Sequence, residues 1–193
     1  MARPKGFDDT AVLEAAVECF WNRGFVATSV RDLGDRMGIG SASLYNAFGD
    51  KRTLYAKALE HYLNNSVRER IARLEEQQAP IDAIRAFFAE IIERSLKDPD
   101  RRGCMLVNAA LEVAAHDADL RAAIVRYLEE IRLFFERSVR AAQKERTVLG
   151  QRSSRDVSRL LLGVLLGIRV LARSKPDRAL LEGVVRPALS LLD

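Results

Sequence analysis

Between Thr28 and Lys51 the sequence TSVRDLGDRMGIGSASLYNAFGDK carries side chains of the kinds that read bases and hold phosphates. Val30, Leu33, Met37, Ile39, Leu44 and Phe48 recur at helical or turn spacing and would bury one side of two short helices. Arg31, Ser41, Ser43, Tyr45, Asn46 and Lys51 are left facing outward. Gly38 sits where the chain must reverse between the helices, at a positive φ that glycine adopts cheaply. Such a pair can set its second helix in the DNA major groove. There, arginine can hold guanine bidentately, asparagine can read adenine, serine can read either, and a small side chain such as Ala42 can touch a thymine methyl. A helical hairpin that merely packs has the same spacing, so the pattern alone leaves both readings open.

Other chemistry finds little support. The two histidines, His61 and His116, are isolated, and there is no G-x-S-x-G and no P-loop; Gly38-Ile39-Gly40 lacks the lysine context. Cys19 and Cys104 are far apart, without C-x-x-C or zinc spacing. No catalytic residue, metal or cofactor is expected, and both thiols are read as small buried hydrophobes. An enzyme is therefore the weaker hypothesis.

A chain of 193 residues with 48% hydrophobic and 30% charged residues can bury a sizeable core in one or two domains. The net charge of +4 permits nucleic-acid binding but is not concentrated near the candidate motif. Residues 1–52 hold seven Lys/Arg and seven Asp/Glu, so the excess lies beyond them. Affinity for phosphate must then depend on which way charges point, with Arg3 and Lys5 as a basic arm and Lys51 at a helix start. The N-terminus lacks an apolar signal-peptide core, and the longest apolar run, Leu160 to Ile168, is too short to span a bilayer. The expectation is a cytoplasmic protein without a membrane partner.

The elements that must position these groups read as helices throughout. Asp8 or Asp9 caps a first helix to about Arg23, ended by Gly24, and Thr28 or Ser29 caps a second. Asp32 lies three residues after Ser29, as in a capping box. Gly40 and Ser41 open the third helix and Gly49 closes it; Asp50 caps a long fourth from about Lys51 to Gln77. Pro80 starts a fifth, a short sixth runs from Cys104 to about Ala115, and a seventh from about Ala118 to Lys144. After a loop from Arg146 to Ser154 comes an apolar helix to near Ser174, then a last one from Pro176 that Pro187 kinks. With no strand-like alternation, the fold is expected to be all-α, of about nine helices. Residues 1–50 would form the three-helix unit that carries the candidate DNA-binding motif and 51–193 a second helical domain. No linker separates them, so the fourth helix can transmit tilt across the boundary.

Phe20, Gly24, Phe25, Thr28-Ser29-Val30, Gly38, Leu44-Tyr45, Phe48 and Lys51, in this order and spacing, resemble the N-terminal domain of TetR-type transcriptional regulators. The resemblance is specific over about the first quarter of the chain; the rest shares only length and helical pattern. It implies a homodimeric repressor that binds double-stranded operator DNA and is released by a small-molecule effector, with 51–193 as the effector-binding and dimerisation domain. Carried over position by position, Arg31, Ser41, Ala42, Ser43, Tyr45 and Asn46 match groove-facing positions. Thr28, Ser29, Tyr45 and Lys51 match or adjoin phosphate contacts. Ala47 stands where the family often has histidine, and Ser41 where a lysine or arginine is common.

Two further surfaces follow. Leu161, Val164, Leu165 and Ile168 with Leu181, Val184, Val185 and Leu189 form apolar stripes on the last two helices, and Gly163 and Gly167 would admit a partner helix. Part of this stripe serves the chain's own core, and a two-fold four-helix interface is the preferred use of the rest. Phe88, Ile92, Met105, Asn108, Leu111, Glu112, Tyr127, Ile131 and Phe134 could line an effector cavity between the fifth, sixth and seventh helices. Asn108 and Glu112, one turn apart in MLVNAALEVAA, either bond an effector or bond neighbouring helices. A helical scaffold that no longer binds an operator is the remaining alternative.

Overall fold

The computed structural model describes residues 9–145 and 152–193. The Arg3 and Lys5 arm, the Asp8 cap and most of the Arg146–Ser154 loop lie outside these residues. The helices are α1 (Asp9–Ala27), α2 (Val30–Met37), α3 (Ser41–Phe48), α4 (Lys51–Leu63), α5 (Glu69–Gln77), α6 (Pro80–Leu96), α7 (Met105–Glu112), α8 (Ala118–Lys144), α9 (Ser154–Ser174) and α10 (Arg178–Leu189). A π segment, Asn64–Arg68, joins α4 to α5. Counted as one rod, these make nine helices, and no strand occurs among the described residues.

Local chemistry explains the boundaries. Ser29 has extended backbone and accepts from the Asp32 amide, while Asp32 accepts from the Ser29 amide, closing the capping box at α2. Gly38 ends α2 in the left-handed region at φ 68°. Asp50, Asp117, Ser153 and Asp177 cap α4, α8, α9 and α10 through their side-chain oxygens. Asp177, rather than Pro176, therefore starts the last helix. Pro187 lies in the final turn of α10, where it has no N–H to donate to the Gly183 carbonyl. The π segment departs from the uninterrupted α-helix expected over this rod, and the Arg68 guanidinium bonds Glu60, Asn64 and Glu130 across it.

Two aromatic clusters anchor the two halves. Phe20 meets Tyr55 edge-on at 4.9 Å and Phe25 meets it at 5.0 Å, seating α1 on α4. Phe87, Phe88, Phe134 and Phe135, all at most 1% exposed, hold α6 to α8, with Phe87 5.5 Å from both Phe134 and Phe135 between ring centroids.

Candidate nucleic-acid interface

On α3 the anchoring side chains are Leu44, fully buried, and Phe48, which pack with Leu33 and Met37 of α2. The helix is only eight residues long, too short to hold its shape in isolation, so this packing orients it. Ser41, Ala42, Ser43, Tyr45 and Asn46 form its exposed face, with Tyr45 48% exposed despite its size. Arg31 projects from α2 beside Asp35 at 3.9 Å, almost fully exposed. Thus all six expected groove-facing residues are exposed on the helical pair. Asp32 beneath them is held at a pKa of about 2, mainly by hydrogen bonds from Ser29 and then by Arg23.

The expected phosphate contacts divide differently. Ser29 is exposed, though its hydroxyl serves the α2 cap. Thr28 corrects the expectation: it is fully buried, and its hydroxyl donates to the Gly24 carbonyl at 2.6 Å. Its side chain shapes the α1–α2 turn and cannot meet a phosphate. Lys51 is half-buried; its ammonium donates to the carbonyls of Phe25 and Thr28, both at 2.9 Å, and lies 4.4 Å from the Phe25 ring centroid. Two of its three protons are committed to the same turn, which makes Lys51 a clamp first. Its motif position was legible in sequence, whereas the two carbonyls it binds belong to backbone that only the folded turn brings together.

Glu112 takes the second of the two uses its sequence position left open, bonding a neighbouring helix rather than a ligand. Its carboxylate accepts from the backbone amides of Phe25 at 2.9 Å and Val26 at 2.8 Å, locking α7 onto the end of α1. Gly24, at φ 81° and ψ 175°, exposes these successive amides, and a Cβ built there would stand 2.7 Å from Glu112 Oε2. Arg102 adds a second tie, reaching Glu18 of α1 at 3.1 Å and lying 4.3 Å from the Trp21 ring centroid. Arg52 of α4 completes the junction by pairing with Asp117 and with Asp119 at the start of α8. The charged groups that couple the halves are therefore side chains far apart in sequence.

Most of the proposed effector wall is packed. Asn108 donates to the Arg102 carbonyl at 2.9 Å and accepts from Arg173 at 2.8 Å, so the neighbour-bonded alternative describes it, as it does Glu112. Leu111 is 73% exposed and, with Asn108 and Glu112, borders a separate shallow cleft of about 300 Å³ beside Trp21, Gly24 and Arg173. Phe134 and Met105 are closed core, and the Tyr127 hydroxyl donates to Glu60. Phe88 and Ile92 border a cleft of about 400 Å³ toward α10. Ile131 borders a void of about 30 Å³ beside Tyr62, Cys104 and Arg169, room for only a water or two. Against the raising effect of desolvation, Arg169 pulls the half-buried Cys104 thiol below its ordinary pKa.

On α9 and α10, Leu161, Leu165, Ile168, Leu181 and Val185 are at most 5% exposed within one chain, which corrects their placement in a partner interface. The outward groups are Leu160 at 46% and Val170 at 45%, with Val164, Val184 and Leu189 half-buried. Nothing lies within 4 Å of a Cβ built on Gly163 or Gly167.

Residues 12–58, which span α1 to α3 and enter α4, match the family described as "Bacterial regulatory proteins, tetR family", and residues 80–187 match "Tetracyclin repressor-like, C-terminal domain". The chain belongs to the TetR family. It is 32% identical, over the full length of both chains, to the uncharacterized HTH-type transcriptional regulator YezE of Bacillus subtilis (strain 168). It is 29% identical over 119 residues to the HTH-type transcriptional repressor ComR of Escherichia coli (strain K12), covering 61% of this chain and 57% of that one. Among solved structures, a cysteine mutant of the TetR family regulator CifR, complexed with 26-bp double-strand operator DNA, superposes with a TM-score of 0.87. It is 29% identical over 99% of this chain and 100% of that chain. As a TetR-family protein the chain is a helix-turn-helix transcriptional regulator, α2 and α3 forming the helix-turn-helix. No helix among the described residues is long and apolar enough to cross a membrane.

Proposed function

We propose that two copies of this TetR-family chain set their α3 helices into major grooves of an inverted-repeat operator, repress transcription there, and leave when a small molecule binds. The observation that carries the reading is the row Ser41, Ala42, Ser43, Tyr45 and Asn46, exposed on a helix fixed from behind by Leu44 and Phe48. The operator complex of CifR supports it by analogy of fold and sequence. Arg31 and Ser29 flank the row, and backbone amides at the start of α2 and α4 replace Thr28 and Lys51 as phosphate partners.

One helical reader covers few base pairs, so useful specificity needs two. The outward strip of α9, from Leu160 through Gly163, Val164 and Gly167, together with Val184 and Leu189 of α10, is the face we assign to the partner copy. Residues 1–50 would act as the reading domain and 51–193 as the effector and dimer domain. A ligand releases DNA only if it favours the non-binding separation of the two readers. The α4–π–α5 rod and the Glu112 joint supply its mechanical route. Sedimentation of the protein with duplexes selected from a random pool tests this: two chains per duplex are expected. A lone bound chain, or a pool with no enrichment, favours the scaffold alternative.

A further inference from the structure

A cleft of about 590 Å³ opens where α1 meets the C-terminal half of α6, the loop after it, and α9. It lies beside the junction rather than inside the packed bundle, and its lining is rich in cations. Among its acids, Glu90 is taken by Arg70 and Arg73, Glu93 by Arg178, and Asp98 by Arg102. Arg94, Lys97 and Arg101 line the same cleft with no acid within ion-pair distance. Uncompensated cations converging on a concave surface create a positive potential that attracts an anion.

A second observation points the same way. Two buried side-chain nitrogens among the described residues have no hydrogen-bond partner, Trp21 Nε1 and Arg169 Nε. Both residues line this cleft, Arg169 also facing Tyr62 and Cys104 across the neighbouring void, and both nitrogens are donors. Buried donors left unpaired are costly, so the missing complement is an acceptor. Trp21 also offers an aromatic surface, with Ala89, Pro99 and Ala172 as apolar lining. Arg102 now covers the indole at 4.3 Å and holds Glu18 of α1.

We propose that this cleft binds an organic anion, a carboxylate on an aromatic or aliphatic body, as the effector of this regulator; the effector role rests on the regulatory reading above, the binding site does not. The carboxylate is held by Arg94, Lys97 and Arg101. The apolar body displaces Arg102 from the Trp21 ring face, and a carboxylate oxygen accepts from the unpaired indole N–H. Displacement of Arg102 breaks its bridge to Glu18 and so loosens α1, the helix that carries the reading pair.

Calorimetric titration of the full chain with 2-naphthoate, and with the uncharged 2-naphthalenemethanol, tests the site. One naphthoate per chain is expected, binding at least tenfold more tightly than the alcohol. Arg94→Gln and Arg101→Gln, both at exposed positions, should each weaken naphthoate binding at least tenfold while leaving the folded circular-dichroism spectrum unchanged. Equal affinity for acid and alcohol, or unchanged naphthoate affinity in both variants, overturns the site. Operator affinity, measured separately by fluorescence anisotropy, should fall at least fivefold at saturating naphthoate. Naphthoate binding as expected with operator affinity unmoved overturns the effector role and keeps the site. Absence of operator binding altogether overturns the regulatory reading instead.

Discussion

Replacing Gly24 by alanine tests whether the joint between reader and effector domain is built as described. Two costs arise at one atom. The backbone at φ 81°, ψ 175° lies in a region nearly reserved for glycine, which costs about 1–3 kcal/mol for any other residue. The new Cβ would also stand 2.7 Å from Glu112 Oε2 and push the carboxylate off the Phe25 and Val26 amides. Together those two bonds, partly solvated, contribute about 1–2 kcal/mol. The whole loss is about 2–5 kcal/mol. With a urea slope of about 2 kcal/mol per molar, the midpoint falls by about 1–2.5 M. Trp21, the single tryptophan, reports the transition by fluorescence, with ellipticity as a second probe. In a Glu112→Ala background there is no carboxylate to displace, so Gly24→Ala should cost only the backbone component, about 1–2 kcal/mol less than in the parent. An equal cost in both backgrounds, at fixed protein concentration, would refute the steric coupling. A Gly24→Ala loss under about 0.5 kcal/mol would refute the strain as well.

Further outcomes follow from other contacts. Lys51→Met should lower stability by about 1–2 kcal/mol in thermal melts, because two charged hydrogen bonds and a cation–π contact go. It should leave the salt slope of operator binding nearly unchanged, and a slope reduced by a full phosphate contact would restore Lys51 as a DNA ligand. Ser29→Ala should cost α2 about 1 kcal/mol, read by amide exchange across Leu33 to Met37. Asp32 should titrate by carboxyl NMR near its value of about 2, against 3.8 unperturbed. Because the folded value is depressed, its contribution to stability is complete above about pH 4 and disappears as pH falls toward 2. Ser29→Ala should move that midpoint upward, and an unmoved midpoint would discount the Ser29 hydrogen bonds. Tyr45→Ala should weaken operator binding by about 1–3 kcal/mol without changing the melting temperature. A large stability loss would mean that Tyr45 packs rather than reads.

Local patterns were the legible part. The caps at Ser29 and Asp50, the reversal at Gly38 and the buried pair Leu44 and Phe48 are set by residues within a few positions of one another. The exposed face of α3 followed directly from that burial. The π segment escaped notice because Asn64 to Arg68 keeps an ordinary helical composition, and its partners Glu60 and Glu130 are fixed by packing. Polar residues in apolar helices were ambiguous for the same reason. Asn108 and Glu112 signalled buried hydrogen bonds, yet the spacing could not say whether the partner was a ligand, Arg173 or the amides after Gly24. The stripes on α9 and α10 likewise did not reveal which half faced inward; Leu161 and Leu181 turned out fully buried within the chain.

Selection from random duplexes, run in parallel on the parent chain and on Asn46→Ala, tests the reading helix most directly. The parent should enrich an inverted repeat, and the variant should relax base preference at one symmetric pair of positions while keeping the half-site spacing. A parent pool without two-fold symmetry, or identical preferences from both proteins, would contradict the assignment of α3 as the element that reads the operator.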